Sequence, residues 1–176
     1  MLKHLMWTPA ILLMALAAAL GAAKGPKGAK AELKDAQGKA VGTATLKQTK
    51  TGVQISLRVT SLPAGTHAFH IHNVGQCEAP DFKTAGGHFN PEGKKHGLKN
   101  PEGPHAGDMP NIAVSAKGAG RATVLNTRVT LGEGANSLFH EGGTAIVIHE
   151  KPDDEVTDPT GNAGNRIACG VIEKTQ

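Results

Sequence analysis

Short segments in which apolar and polar residues alternate recur along this chain, and they constrain its fold more than any other feature. The clearest covers residues 53–60, VQISLRVT, in which every second residue is apolar. This period of two is typical of a β-strand with one buried and one exposed face. Similar strands are predicted at 31–36, 40–48, 67–72, 111–116, 121–130, 144–149 and 167–172. Because no convincing amphipathic helix accompanies them, they predict an all-β fold, an eight-stranded antiparallel Greek-key sandwich or barrel.

The N-terminal residues have the three-part layout of a secretory signal peptide. Lys3 and His4 come first, an apolar run covers 5–20, and small residues end at Ala23. The alternative is an uncleaved membrane anchor, although the run is short for a span of about 20 residues. We expect residues 1–23 to be a cleaved signal peptide, 24–30 a flexible leader and 31–176 a single domain. The protein would then be exported to the periplasm or the extracellular space, without stable membrane association after cleavage.

The only two cysteines, Cys77 and Cys169, both lie in the part expected to be exported. In an oxidising compartment such a pair most simply forms one disulfide, and the alternative is two buried free thiols. On the chain-entropy view, a crosslink closing so long a loop raises the free energy of unfolding by about 4–5 kcal/mol.

Histidine is concentrated in the middle of the chain, where eight of the nine histidines lie between positions 67 and 149. If 67–72 is a strand, His70 and His72 share one of its faces, within reach of a single metal ion. His149 ends another predicted strand and would add a third nitrogen. Taken alone, each has a plainer interpretation, as a pair of surface histidines and a core histidine.

Two stretches rich in turn residues and charges, 73–110 and 150–166, interrupt the strand pattern. Loops of this length in a compact domain are expected to be functional or tied down. Within 21 residues the first contains His88, His96, His105 and Asp108. Three imidazoles and a carboxylate form a tetrahedral set suited to structural zinc. The alternative is a polar loop with incidental histidines.

A zinc ion bound in this way leaves His70, His72 and His149 for a second ion. A nitrogen-rich set suits Cu(II). A fourth nitrogen would have to be shared between the two ions, and His88 is the candidate bridge. The sequence permits this sharing without showing it.

Together these residues resemble the copper/zinc superoxide dismutases. The resemblance extends from about 40 to 173, essentially the whole expected domain. The matching segments are GTHAFHIH (65–72), GGHFNP (86–91), the spacing of His96, His105 and Asp108, VIHEK (147–151) and GNAGNRIACGVI (161–172).

The resemblance implies a role for each matching residue. The implied copper ligands are His70, His72, His88 and His149. The implied zinc ligands are His88, His96, His105 and Asp108, with His88 bridging the two ions. Asp153 would link ligands of both metals, Arg166 would stand at the mouth of the copper site, and Cys77 would pair with Cys169.

The resemblance also implies an activity. Each subunit would bind one copper and one zinc and convert two superoxide anions and two protons to dioxygen and hydrogen peroxide. Copper would cycle between Cu(II) and Cu(I), with His88 and Arg166 as catalytic residues. The motifs leave open whether the protein is a monomer or a homodimer.

The chain departs from the family pattern at several points. Ala68 stands where glycine is usual. The segment 150–166 is shorter than in the animal enzymes and is acidic, so the family's steering lysines cannot be carried over. Guidance of the substrate would come from Arg166 and from Lys83. We expect His67 to be a hydrogen-bonding residue at the rim, and His140 to have no part in the site.

Other functional classes are weaker. One is a non-catalytic copper- or zinc-binding sandwich of the metallochaperone kind, and another is an adhesive sandwich with surface histidines. The net charge of +4 is dispersed and aromatic residues are scarce, so a nucleic-acid partner is not expected.

Overall fold

Antiparallel strands form the frame of the molecule. A computed structural model describes residues 28–175, and every strand pairing within that range is antiparallel. The strands are β1 (Gly28–Asp35), β2 (Ala40–Gln48), β3 (Val53–Val59), β4 (Gly65–His67), β5 (Phe69–His72), β6 (Ile112–Val114), β7 (Gly120–Asn126), β8 (Ala145–His149), β9 (Arg166–Val171) and β10 (Glu173–Lys174). A short 3-10 helix, Lys83–Ala85, lies between β5 and β6.

The strands belong to one sheet that closes on itself. Its order is β4-β6-β7-β3-β2-β1-β9-β8-β5. The two ends of this path, β4 and β5, are consecutive in the chain and separated only by Ala68, so the chain itself joins them. The two-residue β10 is an extension paired with β1. With β4 and β5 taken as one strand and β10 set aside, the predicted eight-stranded antiparallel Greek-key fold is confirmed.

Alternation decides which side chains fill the interior. In β3, Val53, Ile55 and Leu57 are buried, and the residues between them are exposed or partly exposed. Phe69 and Ile71 of β5 belong to the same apolar core. Burial of each such side chain contributes about 1.5–3 kcal/mol. Because one face of β5 packs in the apolar core, the histidines of β5 lie on its other face.

Two predicted boundaries are wrong. Gly28–Lys30 is part of β1 rather than of a flexible leader, because Ala29 is buried and pairs with Leu46 of β2. β7 ends at Asn126 rather than at 130, and the Asn126 side chain donates a hydrogen bond to a loop carbonyl instead. The expected signal peptide, 1–23, and the rest of the leader lie outside the described residues. Between residues 28 and 175, no helix is long and apolar enough to cross a membrane.

Three long connections leave the barrel, and two of them are the predicted functional loops. We call residues 73–111 the ligand loop and residues 150–165 the covering loop. The predicted disulfide between Cys77 and Cys169 is formed, and it fastens the ligand loop to β9. The two loops also contact each other, since the backbone N–H of Lys99 donates to the carbonyl of Glu155 at 2.9 Å. The third connection, 127–144, joins β7 to β8.

Candidate metal centre

Three histidines of the site come from the barrel itself. In β5, His70 and His72 share the face opposite Ile71, as the alternation predicts. The neighbouring strand β8 ends at His149. All three histidines are at most 3% exposed. Paired strands therefore hold three imidazoles in place.

Backbone hydrogen bonds place the ligand loop against β5. The N–H of Phe89 donates to the carbonyl of Ile71 at 2.8 Å, and the N–H of Ile71 donates to the carbonyl of Gly107 at 3.0 Å. His72 and His88 face each other as an isolated antiparallel bridge. Gly107 is required because a β-carbon there would collide with the Ile71 carbonyl. These contacts bring loop histidines next to strand histidines.

Four imidazole nitrogens meet without hydrogen-bond partners among residues 28–175, and we call their residues the four-histidine cluster. The atoms are Nδ1 of His70 and Nε2 of His72, His88 and His149. The ligand atoms of these residues lie within 4.8 Å of one another. A buried polar atom without a partner costs about 1–3 kcal/mol, so four together require a shared partner. A metal ion satisfies all of them, and four nitrogens suit Cu(II).

The imidazoles of this cluster are held neutral, which is the form that binds a metal. Burial, reinforced by the neighbouring His70, lowers the pKa of His88 to about 3. The same two causes lower the pKa of His149 to about 3. Burial also lowers the pKa of His70 and of His72. The nitrogen lone pairs are therefore available at neutral pH.

The ligand loop supplies a second group, which we call the mixed cluster: His88, His96, His105 and Asp108. Nδ1 of His88 and Nδ1 of His96 each lie 3.0 Å from Oδ1 of Asp108. Nδ1 of His105 lies 3.3 Å from that oxygen and 3.4 Å from Nδ1 of His88. Around a zinc ion with bonds of about 2.0 Å, the edges of a tetrahedron are about 3.3 Å long. These four donor-to-donor distances match that edge length, and all four donor atoms lie within 4.8 Å of one another, so the mixed cluster suits a tetrahedral zinc ion.

Asp108 is held as a carboxylate. Its side chain is fully buried, and Oδ2 accepts hydrogen bonds from the backbone N–H groups of Gly97 and His105, at 2.9 Å each. Burial alone would raise the pKa of Asp108. Hydrogen bonds from three imidazoles and from the backbone outweigh burial and hold this pKa well below its usual range. The mixed cluster thus contains one permanent negative charge.

His88 belongs to both clusters. Its Nδ1 faces Asp108 in the mixed cluster, and its Nε2 is one of the four nitrogens without a hydrogen-bond partner. The ring lies beside that of His70, with 4.1 Å between the ring centroids and an angle of 34° between the ring planes. One imidazole therefore offers a nitrogen to each cluster, which is the geometry that sharing between two ions would require.

Asp153 of the covering loop connects the outer nitrogens of the two clusters. Its Oδ2 accepts from Nε2 of His70 at 2.7 Å, and its Oδ1 accepts from Nε2 of His96 at 3.0 Å. Burial opposes protonation of His96, but hydrogen bonds to Asp108 and Asp153 raise its pKa to about 9. Asn111 holds the Asp153 backbone through two hydrogen bonds, of 2.9 and 2.8 Å. One carboxylate therefore orients a ring in each cluster.

Arg166 places a cation beside the four-histidine cluster. It is the cross-strand partner of His149, at a register shift between β8 and β9. Its Nη1 donates to the carbonyl of Phe82 at 2.7 Å, and its Nη2 donates to the carbonyl of Gly86 at 2.6 Å. The Gly86 carbonyl also accepts from Nδ1 of His72 at 2.9 Å. The guanidinium is thereby linked to two residues of the cluster.

The cleft beside Arg166 is also lined by Lys83 and Asp81. These two side chains form an exposed ion pair of 2.7 Å. Exposed pairs of opposite charge are well screened by solvent. Lys83 therefore contributes less net positive charge to the cleft than the sequence expectation assigned to it.

Among the histidines in residues 28–175, two lie outside both clusters. His67 makes hydrogen bonds, as expected, but it is buried rather than at the rim: its Nδ1 lies 2.8 Å from the carbonyl oxygen of His149, and its Nε2 lies 2.9 Å from that of Pro63. His140 stacks on Phe89, with 5.3 Å between the ring centroids. His67 thus braces the backbone of a cluster residue, whereas His140 contacts neither cluster through its ring.

Sequence reasoning missed residues that hold the clusters from a distance. Asn111 is 42 positions from Asp153, and Asp158, whose Oδ1 accepts from the backbone N–H of His96 at 2.7 Å, is 62 positions from its partner. No local pattern marks either residue, because both are polar residues in loops full of polar residues. Only the folded contacts reveal them.

Comparison with known proteins assigns this geometry to a family. The family model described as copper/zinc superoxide dismutase (SODC) matches residues 40–172. The chain belongs to the copper/zinc superoxide dismutase family. Copper and zinc, the metals of that family, match the two donor sets described above.

Individual superoxide dismutases and related folds are similar over most of their length. Superoxide dismutase (Cu-Zn) 2 of Aquifex aeolicus (strain VF5) is 60% identical over 146 residues, 82% of this chain and 85% of the relative. The crystal structure of a double mutant of a SOD-like protein from Bacillus subtilis has a TM-score of 0.78 and 43% identity, covering 81% of this chain and 95% of that one. The clock protein EA4 has a TM-score of 0.73 and 34% identity, covering 86% and 97%. Because proteins of such different description share the fold, activity depends on the metal centre rather than on the fold alone.

Proposed function

We propose that this protein is a superoxide dismutase, which converts two superoxide anions and two protons to dioxygen and hydrogen peroxide. The observation that carries the proposal is the convergence of two complete donor sets on one shared residue, His88. Similarity to copper/zinc superoxide dismutases over most of the chain supports the same activity.

We assign copper to the four-histidine cluster, His70, His72, His88 and His149. We assign zinc to the mixed cluster, His88, His96, His105 and Asp108. Copper would supply a Cu(II)/Cu(I) couple that exchanges one electron with superoxide in each half of the cycle, whereas zinc, which has no redox chemistry, would hold the ligand loop.

His88 is the proton carrier in this proposal. Its Nε2 has no hydrogen-bond partner among residues 28–175, so whenever it is not a copper ligand this atom would hold a proton and pass it to an anion bound beside it. Its Nδ1, 3.0 Å from Asp108, keeps the ring in position meanwhile. A proton would thus be available where peroxide forms.

Arg166 binds and orients the anionic substrate. Two of its five N–H donors are used by the carbonyls of Phe82 and Gly86, which fix the guanidinium. The remaining donors are available to an anion. A fixed cation beside the cluster also raises the local concentration of superoxide and favours the entry of negative charge.

Asp153 is a positioning residue in this scheme. By accepting hydrogen bonds from Nε2 of His70 and Nε2 of His96, it sets which nitrogen of each ring faces its cluster. Carboxylates that orient ligand imidazoles in this way strengthen metal binding.

We also propose that the protein is exported, with residues 1–23 as a cleaved signal peptide followed by a leader that ends at the start of β1. The disulfide between Cys77 and Cys169 supports this proposal, because such bonds persist in oxidising compartments.

The test is to measure metal content per chain together with superoxide consumption. We expect one copper and one zinc per chain, with activity only when copper is bound. A protein that binds both metals without consuming superoxide would instead be a non-catalytic metal-binding sandwich. A protein that binds neither would contradict both assignments.

A further inference from the structure

Two ligands of the mixed cluster lie in one tight turn, His105–Asp108. Within it, the N–H of His105 donates to Oδ2 of Asp108 at 2.9 Å. The direction of both ligand side chains therefore depends on the backbone of these four residues.

Every carbonyl of this turn accepts a hydrogen bond from outside it. The carbonyl of Gly107 accepts from the N–H of Ile71. The other three face the end of β7. The carbonyl of Ala106 accepts from Nδ2 of the buried Asn126 at 2.8 Å. The carbonyls of His105 and Asp108 both accept from one side chain, Arg128.

Arg128 donates hydrogen bonds to the turn from two different nitrogens. Its Nε lies 3.2 Å from the carbonyl oxygen of His105, and its Nη2 lies 2.6 Å from that of Asp108. The arginine is held in turn, because its own carbonyl accepts from Nδ2 of Asn136 at 2.8 Å. The rigid guanidinium group fixes the distance between the two carbonyl groups that it binds. A lysine ammonium on a flexible side chain would not fix that distance.

We propose that Arg128 is a positioning residue for zinc: it presets the backbone of two zinc ligands and thereby raises the zinc affinity of the mixed cluster. This inference rests on the proposed assignment of zinc to that cluster. Within residues 28–175, Arg128 makes no hydrogen bond to any residue of the four-histidine cluster. The effect is therefore selective for zinc over copper.

The test compares R128Q and R128K with the wild-type protein, and uses R121Q as the matched control. Arg121 is an exposed arginine on β7, the strand that ends two residues before Arg128, so R121Q removes an equal charge without touching the turn. Zinc affinity is measured by competition with a chelator, and copper affinity is measured in the same way. Cobalt placed in the mixed cluster reports its geometry through its visible spectrum.

We expect R128Q to lower zinc affinity by about 10-fold, in the range of outer-sphere substitutions, with copper affinity unchanged. R128K should fall between R128Q and the wild type, and R121Q should match the wild type. The cobalt spectrum of R128Q should lose the tetrahedral intensity of the wild type. If R128Q does not fold, the zinc and copper affinities of R128K are compared with those of the wild-type protein instead.

Equal zinc affinities in R128Q and the wild type would overturn the inference while leaving the zinc assignment intact. Equal losses of zinc and copper affinity would also overturn it, because they would indicate a general role in folding. If the wild-type protein itself binds no zinc, the zinc assignment fails and this inference fails with it.

Discussion

The two halves of the metal centre are built in opposite ways. The four-histidine cluster takes three of its four residues from the paired strands β5 and β8, and the mixed cluster takes all four from the ligand loop. The first has only neutral imidazoles, whereas the second includes the ionised Asp108. His88 is the residue common to both.

The barrel holds its ligand side chains in place by itself, whereas the ligand loop needs additional contacts to hold its own. Strand pairing and the apolar core fix three imidazoles whether or not an ion is bound. A Gly-rich loop has a large conformational entropy to lose, so it needs ties, and metal binding is one means of ordering it. The disulfide and the hydrogen bonds of Asp153 and Arg128 also tie this loop. We therefore expect the proposed zinc half to be the more sensitive to changes outside its ligands.

His88→Ala should have the largest effect, because it removes the residue that the two halves share. We expect superoxide consumption to fall by about 1,000-fold, the upper range for loss of one catalytic group. Any magnetic coupling between copper and a cobalt ion in the mixed cluster should disappear from the electron paramagnetic resonance spectrum. His140→Ala is the control, since its ring contacts neither cluster. Coupling that survives His88→Ala would show that the halves are not bridged by this ring.

Arg166→Glu should have the second-largest effect, and it should slow turnover without releasing either metal ion. Reversing the fixed charge beside the four-histidine cluster should slow superoxide consumption by about 100-fold at low ionic strength. Metal analysis should still find both ions, because Arg166 donates to loop carbonyls rather than to the clusters. Arg121→Glu serves as the control on a distant strand. An unchanged rate with both metals bound would contradict the role of Arg166.

Asp153→Asn tests both halves of the metal centre in one variant, because this carboxylate contacts one ring in each half. An amide keeps only one acceptor oxygen, so one of the two imidazole contacts is lost. We expect zinc affinity to fall by about 10-fold, and copper affinity to fall less, since β5 holds His70 independently. Asp154→Asn is the control, because Asp154 is exposed and bonds only within its own loop. Equal losses for both metals would mean that the halves are equally rigid.

Selective removal of zinc should have the smallest effect and the most local one. Amide hydrogen exchange in residues 94–108 should accelerate by about fivefold, while β5 and β8 stay protected, because local opening follows the local loss of contacts. Mass spectrometry of peptides from the exchanged protein measures both regions in one experiment. Acceleration throughout the barrel would show that zinc stabilises the whole fold rather than one loop.

Much of this architecture was predictable from sequence, for reasons that are local. The strand face shared by His70 and His72 follows from a period of two, and the zinc-type set follows from the histidines and the aspartate crowded into one loop. The ends of β1 and β7 were mispredicted because contacts with neighbouring strands decide where a strand stops. The roles of Asn111 and Arg128 were not predictable, since their partners lie 42 and 20 positions away.

By itself, the amino-acid sequence determined the strand faces, the kinds of donor atom and the family to which the chain belongs. These properties depend on residue type and on spacings of a few positions. The tertiary structure alone decided that Nδ1 and Nε2 of His88 face different clusters, that Asp153 reaches a ring in each, and that Arg128 donates hydrogen bonds to the turn His105–Asp108. Each of these contacts joins segments that meet only when the barrel closes and its backbone hydrogen bonds draw the ligand loop against β5.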